Sequence, residues 1–332
     1  MRYSDLFLKT EKVAANEEAV NAQLLQRGGF IDKTMAGVYT YLPLGLRVLK
    51  KIEDIVREEM NTLGTELLMP ALSPKSLWEQ TDRLRSIDVL MMATSGNELS
   101  RARNDAEYVL NSTHEELITP IARRVKLSYK DLPFGVYQIQ TKFRNEERPK
   151  SGLLRGREFR MKDLYSFHAT EDDFKNYYER VKKSYARVYA RVGLGNGTHL
   201  TLAAGGAFTK DYSHEFDTVC DTGEDTIYYD EETAAYYNAE VAADEIKKKA
   251  TSFKASEVGN IFPLGTKYSE AFGYTYLDAQ GQARPVHMGS YGIGTSRVMG
   301  VLVEKFHDEK GIIWPRSVAP FEVHVIGIKR DV

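Results

Sequence analysis

The feature that most constrains the fold is a pair of alternating segments joined by a loop rich in turn-forming residues. The segments are YQIQTKFR, residues 137–144, and REFRMKDLY, residues 157–165. Successive side chains of a strand point to opposite faces of a sheet, so every second residue of each segment shares a face. The loop contains Pro149, Gly152 and Gly156, which suit turns. This pattern predicts an antiparallel β-hairpin.

One face of the predicted hairpin combines cations, an aromatic ring and a carboxylate. Its members are Gln138, Gln140, Lys142 and Arg144 on the first strand, and Arg157, Phe159, Met161, Asp163 and Tyr165 on the second. Guanidinium groups bind phosphate oxygens through paired hydrogen bonds, and a phenyl ring suits a planar base. The face suggests a nucleoside triphosphate site, although the chain contains no GxxxxGK[ST] or GxGxxG sequence. The alternative is a solvated hairpin with surface ion pairs, which contribute little to stability.

The positive charge of the hairpin is local. Residues 141–163 hold eight Lys or Arg and four Asp or Glu, whereas the 332-residue chain has a formal net charge of −2. A near-neutral chain does not indicate general polyanion binding. No run of eighteen apolar residues occurs, so no membrane span is predicted. Because Cys220 is the only cysteine, a disulfide framework and a Cys-based zinc site are excluded, and a cytoplasmic location is expected.

Two long amphipathic helices are predicted, over residues 43–60 and 171–192. Their apolar residues recur at steps of three and four, which is typical of a helix with one buried face. The stripes are Leu46, Leu49, Ile52, Val56 and Met60 in the first helix, and Phe174, Tyr178, Val181, Tyr185, Val188 and Val192 in the second. Pro43 suits the start of the first helix, and Gly193 suits the end of the second.

Shorter strand signals lie outside the hairpin and the two helices. They cover residues 66–72, where Pro70 would end the strand, and residues 225–230, 272–279 and 320–328. Residues 239–257 look like a polar surface helix or connection. Helices and strands do not alternate regularly. This arrangement predicts an α+β domain with an antiparallel sheet flanked by helices.

The hairpin resembles motif 2 of the class II aminoacyl-tRNA synthetases. That motif is a Phe-Arg-x-Glu strand, a loop, and then Arg-xxx-Phe-xxx-Asp or Glu. The matching residues are Phe143, Arg144 and Glu146, followed by Arg155, Phe159 and Asp163. The segments YQIQTKFRNEERP and REFRMKDLYSFH are similar to the prolyl-tRNA synthetases of bacterial type in particular.

Two more stretches resemble the other motifs of this class. Residues 289–304, GSYGIGTSRVMGVLVE, resemble motif 3 with Arg297 as its arginine, and Gly292 and Gly294 would let the backbone approach a ligand closely. Residues 37–70 resemble motif 1, a helix and strand at the dimer interface, with Pro70 as the motif proline. The resemblance therefore implies a homodimer formed through motif 1.

Two stretches are similar to the amino-acid pocket of the prolyl enzymes. Thr113 and Glu115 match a Thr-x-Glu loop, and residues 258–272 match a segment that closes the pocket. A carboxylate and a hydroxyl can accept the two N–H bonds of a secondary ammonium group, which is what proline offers. Without the neighbouring motifs, residues 113–115 would be interpreted as a helix cap.

The resemblance implies a two-step reaction with ATP and Mg²⁺. Proline would attack the α-phosphorus of ATP to give prolyl-adenylate and pyrophosphate, and the prolyl group would pass to the 3′ end of tRNA(Pro). The implied phosphate and adenine ligands are Arg144 and Arg297 as the catalytic pair, with Arg155, Glu146, Phe159, Gly292 and Gly294. The implied proline ligands are Thr113, Glu115, Arg144, Met161, Asp163 and Tyr165. The ligands of Mg²⁺ are left open.

The sequence departs from the bacterial pattern in two places. Bacterial enzymes often carry a large editing insertion between motifs 2 and 3, where this chain has only the short polar segment near 239–257. Hydrolysis of mischarged tRNA in cis is therefore not expected. Residues 1–315 are expected to form the catalytic domain, and residues 316–332 the start of a truncated anticodon-binding domain.

Three other functions were weighed against proline activation. Motifs 1 to 3 alone would also fit a threonyl, glycyl or seryl synthetase, and Thr113 with Glu115 favours proline. A synthetase-like paralogue that does not charge tRNA is a second alternative. A general nucleic-acid binder fits poorly, because such proteins spread cations along a groove, whereas carboxylates lie between these arginines.

Overall fold

The computed structural model describes residues 5–7, 10–11, 17–125, 128–206, 208 and 212–326. The α-helices within these residues are α1 Val20–Arg27, α2 Pro43–Met60, α3 Lys75–Gln80, α4 Arg83–Ser86, α5 Glu98–Arg103, α6 Glu115–Val125, α7 Glu171–Val192, α8 Asp244–Lys249, α9 Lys267–Ala271 and α10 Thr295–Lys305. The strands are β1 Ile31–Met35, β2 Val38–Tyr41, β3 Thr65–Glu66, β4 Leu72–Pro74, β5 Met91–Ala93, β6 Tyr108–Leu110, β7 Phe134–Phe143, β8 Glu158–His168, β9 Thr198–Ala204, β10 Tyr212–Val219, β11 Asp225–Asp230, β12 Ala235–Asn238, β13 Thr251–Gly265, β14 Thr275–Leu277, β15 Ala283–Pro285 and β16 His287–Ile293.

A nine-stranded sheet organises the chain. Its strand order is β10-β9-β12-β11-β13-β16-β8-β7-β3, and β10 also pairs with β13. Neighbouring strands are antiparallel except for two parallel pairs, β9 with β12 and β3 with β7. β7 and β8 form the predicted hairpin, in which Gln138 lies opposite Asp163 and Lys142 lies opposite Phe159. The predicted α+β fold on a mainly antiparallel sheet is confirmed.

Both long helices have the bounds that their apolar stripes predict. α7 begins at a cap in which the Thr170 side chain accepts a hydrogen bond from the Asp173 N–H, and it ends at Gly193, whose φ is 101°. The left-handed conformation at Gly193 is inexpensive only without a Cβ. One member of the α2 stripe differs: the Leu46 side chain is 40% exposed, because it lies near the start of the helix, at the rim of a surface cavity.

Helices α2, α7 and α10 pack on one face of the sheet. The core there contains Tyr137, Leu164, Ile261 and Tyr291 from four adjacent strands. Because side chains alternate along a strand, the neighbouring residues of each strand point to the opposite face. That opposite face is where the polar residues of the hairpin lie.

Other parts of the chain differ from the sequence-based expectations. Residues 251–257 are not a connection: they begin β13, which pairs with β10, β11 and β16. Their polar character arises because the free face of the sheet is itself polar. The segment 66–72 contains only the last residue of β3, Glu66, and the first residue of β4, Leu72. In the segment 272–279, only Thr275–Leu277 forms a strand.

The strand expected at residues 320–328 is absent from its described part, residues 320–326, and residues 327–328 lie outside the described ranges. These apolar residues lack a neighbouring strand among the described elements, and a strand requires a partner for its backbone groups. None of the described helices has the length and apolar character needed to cross a membrane.

Candidate active site

The polar face of the sheet forms the floor of the site. Gln138 of β7 lies opposite Asp163 of β8, Asp163 lies opposite Gly292 of β16, and Gly292 lies opposite Asn260 of β13. A Cβ at Gly292 would meet the Asn260 Oδ1 atom at 2.9 Å and the Met161 sulfur at 3.6 Å. The absence of a side chain at Gly292 therefore leaves room for those two groups above the floor.

Three arginines from separate segments meet at one end of this floor. Arg144 follows β7, Arg155 lies in the hairpin loop and Arg297 lies in the first turn of α10, and all three line a cavity of about 210 Å³. Phe159 of β8 joins them at an adjoining pocket. Sheet pairing and the start of α10 thus bring together residues that are up to 153 positions apart in the sequence.

Two of these arginines are fixed by the surrounding protein. Arg155 forms ion pairs with Glu146 at 2.7 Å and with Glu224 at 3.0 Å. The Arg297 Nε atom donates to the Leu154 carbonyl oxygen at 2.7 Å. These contacts orient the guanidinium groups before any ligand is bound, which is what a preorganised electrostatic site requires.

Arg144 differs from its neighbours in lacking a carboxylate partner. Its side chain makes no hydrogen bond or ion pair within the described residues, and its Cζ atom lies 5.2 Å from the centre of the Phe159 ring. Burial, followed by the nearby charge of Arg297, lowers the pKa of Arg144 below its ordinary value. A half-buried guanidinium in this condition would be stabilised by an anion.

A group of carboxylates, which the sequence did not single out, lies beside the arginines. Asp225 and Glu257 line the same cavity. Asp217 is fully buried, and neither of its carboxylate oxygens has a hydrogen-bond partner among the described groups. Burial raises the pKa of Asp217 to about 7 and also raises the pKa of Asp225. The raised pKa values indicate that the neighbouring cations do not fully neutralise these carboxylates.

The Thr113–Glu115 pair lies over the other end of the floor, at the start of α6. The Thr113 hydroxyl donates to Glu115 Oε2 at 2.5 Å, and the Ser290 hydroxyl of β16 donates to Glu115 Oε1 at 2.8 Å. Glu115 is fully buried. The Thr113 and Ser290 hydroxyls therefore each donate to a different oxygen of the Glu115 carboxylate, and the contact with Ser290 lies at the sheet floor.

A buried network anchors this loop from below. The Lys142 Nζ atom lies 2.7 Å from Asp163 Oδ1 and 2.5 Å from His114 Nδ1. His114 Nε2 lies 2.9 Å from the Pro70 carbonyl oxygen, so this nitrogen carries the proton and Nδ1 accepts from Lys142. Burial and Lys142 lower the pKa of His114 to about 4, so the ring is neutral at pH 7.

Tyr165 links Asp163 to the same loop. The Tyr165 hydroxyl donates to Asp163 Oδ2 at 2.8 Å and accepts from the His114 backbone N–H at 3.0 Å. Gln138 also donates to Asp163, at 3.0 Å. In this structure Asp163 is therefore occupied by contacts that position the Thr113–Glu115 loop. Its expected contact with an amino acid stays a prediction.

Arg83 is a site component that no sequence pattern indicates. It lies in the short, charged segment TDRLRS, which is typical of an exposed helix, yet its side chain is buried. Its Nη1 atom donates to Glu115 Oε2 at 3.1 Å and to Glu116 Oε1 at 2.9 Å. The guanidinium also faces the rings of Trp78, Phe208 and Tyr268 at 4.8–5.6 Å, a contact that no local periodicity signals.

The structure therefore sorts the expected site residues into two clusters on one face. The arginine cluster contains Arg144, Glu146, Arg155, Phe159 and Arg297, with Gly294 immediately before α10. The acid cluster contains Thr113 and Glu115, with Tyr165 and Asp163 beneath. Met161 and Gly292 lie on the floor. The binding role of each residue stays a prediction.

A mainly antiparallel sheet with motif arginines from a hairpin and from a following helix defines a class II aminoacyl-tRNA synthetase core. A family model for the tRNA synthetase class II core domain (G, H, P, S and T) matches residues 98–306, and the chain belongs to this family. Within it, the chain groups with the proline–tRNA ligases. It is 40% identical over 364 residues to the Ruegeria sp. enzyme and 39% identical over 355 residues to the Wolbachia pipientis enzyme.

The alignments with these two relatives include nearly all of this chain and about four fifths of each relative. The Ruegeria alignment covers 99% of this chain and 79% of the relative, and the Wolbachia alignment covers 100% and 82%. The Giardia lamblia prolyl-tRNA synthetase in complex with prolyl-adenylate superposes with a TM-score of 0.74 at 20% identity, over 91% of this chain. The chain spans about 55% of that solved protein.

A second solved structure supports the same fold. The prolyl-tRNA synthetase from Cryptosporidium parvum, complexed with L-proline and AMP, superposes with a TM-score of 0.71 at 16% identity, over 93% of this chain and 56% of that one. At such low identity these two structures bear on the fold alone.

Proposed function

We propose that the chain is a proline–tRNA ligase, which activates L-proline with ATP and transfers the prolyl group to the 3′ end of tRNA(Pro). The observation that carries the proposal is the pairing of two clusters on one sheet face: arginines suited to a triphosphate, and a Thr-x-Glu loop suited to a secondary ammonium group. The names of the 40%-identical relatives agree with it.

In the first step, a carboxylate oxygen of proline attacks the α-phosphorus of ATP and pyrophosphate leaves. The protein makes no covalent bond, so its contribution is positioning and neutralisation of phosphate charge. Arg144 would bind the α-phosphate and the proline carboxylate, because this half-buried guanidinium of the cavity has no hydrogen-bond or ion-pair partner within the described residues. Arg155 and Arg297 would hold the outer phosphates.

The adenine would stack on Phe159, opposite Arg297, with its edge toward Glu146. Phe159 already has a cation on one side, since Arg144 lies 5.2 Å from its ring. Gly294 and Gly292 would allow the backbone to approach the nucleotide closely. Arg155 holds Glu146 at 2.7 Å, which orients this carboxylate before the base arrives.

The proline nitrogen would bind between Thr113 and Glu115. Because the Thr113 hydroxyl donates its proton to Glu115, its oxygen is free to accept one N–H bond from the ligand. Glu115 would accept the other. Met161, Asp163 and Tyr165 would form the side of the pocket nearest the sheet.

Mg²⁺ would be held mainly by nucleotide phosphates and water, as is usual for this ion. No group of three or more His, Cys, Asp or Glu side chains suited to a metal occurs in the described part of the chain. Asp225 and Glu257 nevertheless fit the ion, because they are carboxylates in the arginine cavity whose neighbour Asp217 has unpaired buried oxygens. The ion would supply charge neutralisation at the phosphates.

The tRNA contact, a homodimer through the Pro70 region and a cytoplasmic location belong to the same proposal. The support for the dimer is the resemblance of residues 37–70 to motif 1.

The test is amino-acid-dependent exchange of pyrophosphate into ATP, measured across the twenty standard amino acids. Proline should give the highest exchange, and charging of tRNA(Pro) with radiolabelled proline should be detectable but weak. Highest exchange with threonine, glycine or serine would replace the proposal with another class II specificity. Proline exchange without charging would favour a paralogue that does not aminoacylate tRNA.

A further inference from the structure

Three buried charges surround the expected position of the proline nitrogen. Arg83, Glu115 and Glu116 are each no more than 1% exposed. Two carboxylates and one guanidinium add up to one negative charge. The nearest other ions, Lys142 and Asp163, form their own pair at 2.7 Å.

Glu115 has a single acceptor position left for a ligand. An ionised carboxylate offers about four lone-pair directions. Glu115 Oε2 accepts from Thr113 at 2.5 Å and from Arg83 at 3.1 Å, and Oε1 accepts from Ser290 at 2.8 Å. The remaining position is on Oε1, beside the sheet floor.

Glu116 contributes charge to the pocket, and both of its carboxylate oxygens accept hydrogen bonds from protein donors. Its Oε1 atom accepts from Thr81 and from Arg83, both at 2.9 Å, and Oε2 accepts from Arg83 at 3.1 Å. Burial raises the pKa of Glu116 against the attraction of Arg83, and the Glu115 charge adds to that rise. This is the behaviour of a pair of carboxylates that share too little positive charge.

Arg83 is enclosed by protein groups on every side that its contacts describe. Its Nη1 atom donates to both Glu115 and Glu116, whereas its Nε and Nη2 atoms are buried without a hydrogen-bond partner among the described residues. The aromatic rings of Trp78, Phe208 and Tyr268 lie around the guanidinium. Its geometry fits the task of holding both carboxylates at fixed positions while cancelling only one of their charges.

We propose that Arg83 and Glu116 are specificity-determining positioning residues, which set the buried charge around Glu115 to −1 and so select a protonated ring nitrogen. A substrate ammonium completes charge neutrality in the pocket, whereas a neutral ring atom leaves a buried charge uncompensated, which is costly. This inference rests on the proposed function, because it deepens the recognition of proline at the same site.

The test compares proline with tetrahydrofuran-2-carboxylate, in which an ether oxygen replaces the ring nitrogen. The readout is the ratio of the analogue's inhibition constant to the KM of proline in pyrophosphate exchange. Glu116→Gln keeps the shape of the side chain and brings the charge to zero. We expect the ratio to fall about tenfold or more, with the KM of ATP unchanged.

The double variant Arg83→Met/Glu116→Gln separates charge from structure. It restores the net charge of −1, so the ratio should return toward the wild-type value, although two contacts are lost. A merely structural role predicts a double variant that is worse than Glu116→Gln alone. Arg85→Met, on the exposed side of the same helix, is the control for loss of an arginine and should change neither constant.

The outcomes distinguish this inference from the proposed function. If the wild-type protein shows no proline-dependent exchange, the proposed function fails. If exchange is normal and the ratio in Glu116→Gln equals that of the wild type, the charge-selection inference is overturned. Thermal unfolding shows whether each variant is folded. If the double variant is unfolded, the ratio measured in Glu116→Gln decides the inference.

Discussion

Replacing Arg144 with alanine should reduce activity without reducing stability. Arg144 makes no hydrogen bond or ion pair within the described residues, so its loss breaks no such contact. The contact with the Phe159 ring at 5.2 Å contributes about 0.5–1 kcal/mol. Removal of a half-buried like charge near Arg297, which already lowers the pKa of Arg144, offsets that loss. The free energy of unfolding should therefore stay within about 1 kcal/mol of the wild-type value.

The cost to catalysis should be much larger. Loss of a charge-assisted contact to developing phosphate charge typically removes about 3 kcal/mol of transition-state stabilisation, which is roughly a hundredfold in rate. Proline-dependent pyrophosphate exchange measures this loss, and urea unfolding measures stability. Arg148→Ala, in the same loop but exposed, is the matched control and should leave exchange near the wild-type rate.

Two results would refute this reasoning. Near-normal exchange in Arg144→Ala would remove the residue from phosphate binding. A loss of several kcal/mol of stability, in parallel with activity, would mean that Arg144 has a structural partner instead of a ligand.

Three further predictions concern the buried charges and the pocket. Lys142→Met should lower the free energy of unfolding, measured in urea, by about 3–5 kcal/mol, because it leaves Asp163 buried without its cation. The double variant Lys142→Met/Asp163→Asn should lose less stability than Lys142→Met, and equal losses in the two variants would contradict the pairing. Asp217 has a pKa raised to about 7, so its contribution to stability is present below pH 4 and is lost as pH rises to 7. Asp217→Asn should therefore gain stability relative to wild type as the pH rises from about 4 to 7, and curves that stay parallel over this range would contradict this. A small pocket separates alanine from proline by only about 1–3 kcal/mol per methylene-sized difference, so alanine-dependent exchange should be detectable at high enzyme concentration.

The long helices and the hairpin could be predicted from the sequence because their signals are local. A stripe such as Val181, Tyr185 and Val188 fixes both the helix and its buried face, and all three residues are fully buried. The hairpin alternates over enough residues to define its faces, and its motif spacing predicts Arg155 and Phe159 as site residues from the sequence alone.

The missed parts depend on contacts between distant segments. Arg83 looks exposed in its own sequence context, and only packing against α6 and three aromatic rings makes it a buried partner of Glu115. Residues 251–257 look like a surface connection, and only the position of β13 between β11 and β16 makes them part of the sheet. Residues 320–326 show the reverse case, an alternating segment that forms no strand in the described chain.

The most direct test of the central claim is a crystal structure with a non-hydrolysable prolyl-adenylate mimic. We expect the phosphate group within hydrogen-bond distance of Arg144, the adenine on Phe159, and the ring nitrogen between Thr113 and Glu115. Ligand density on another face of the sheet, or an Arg144 side chain turned away from the phosphate, would contradict the account.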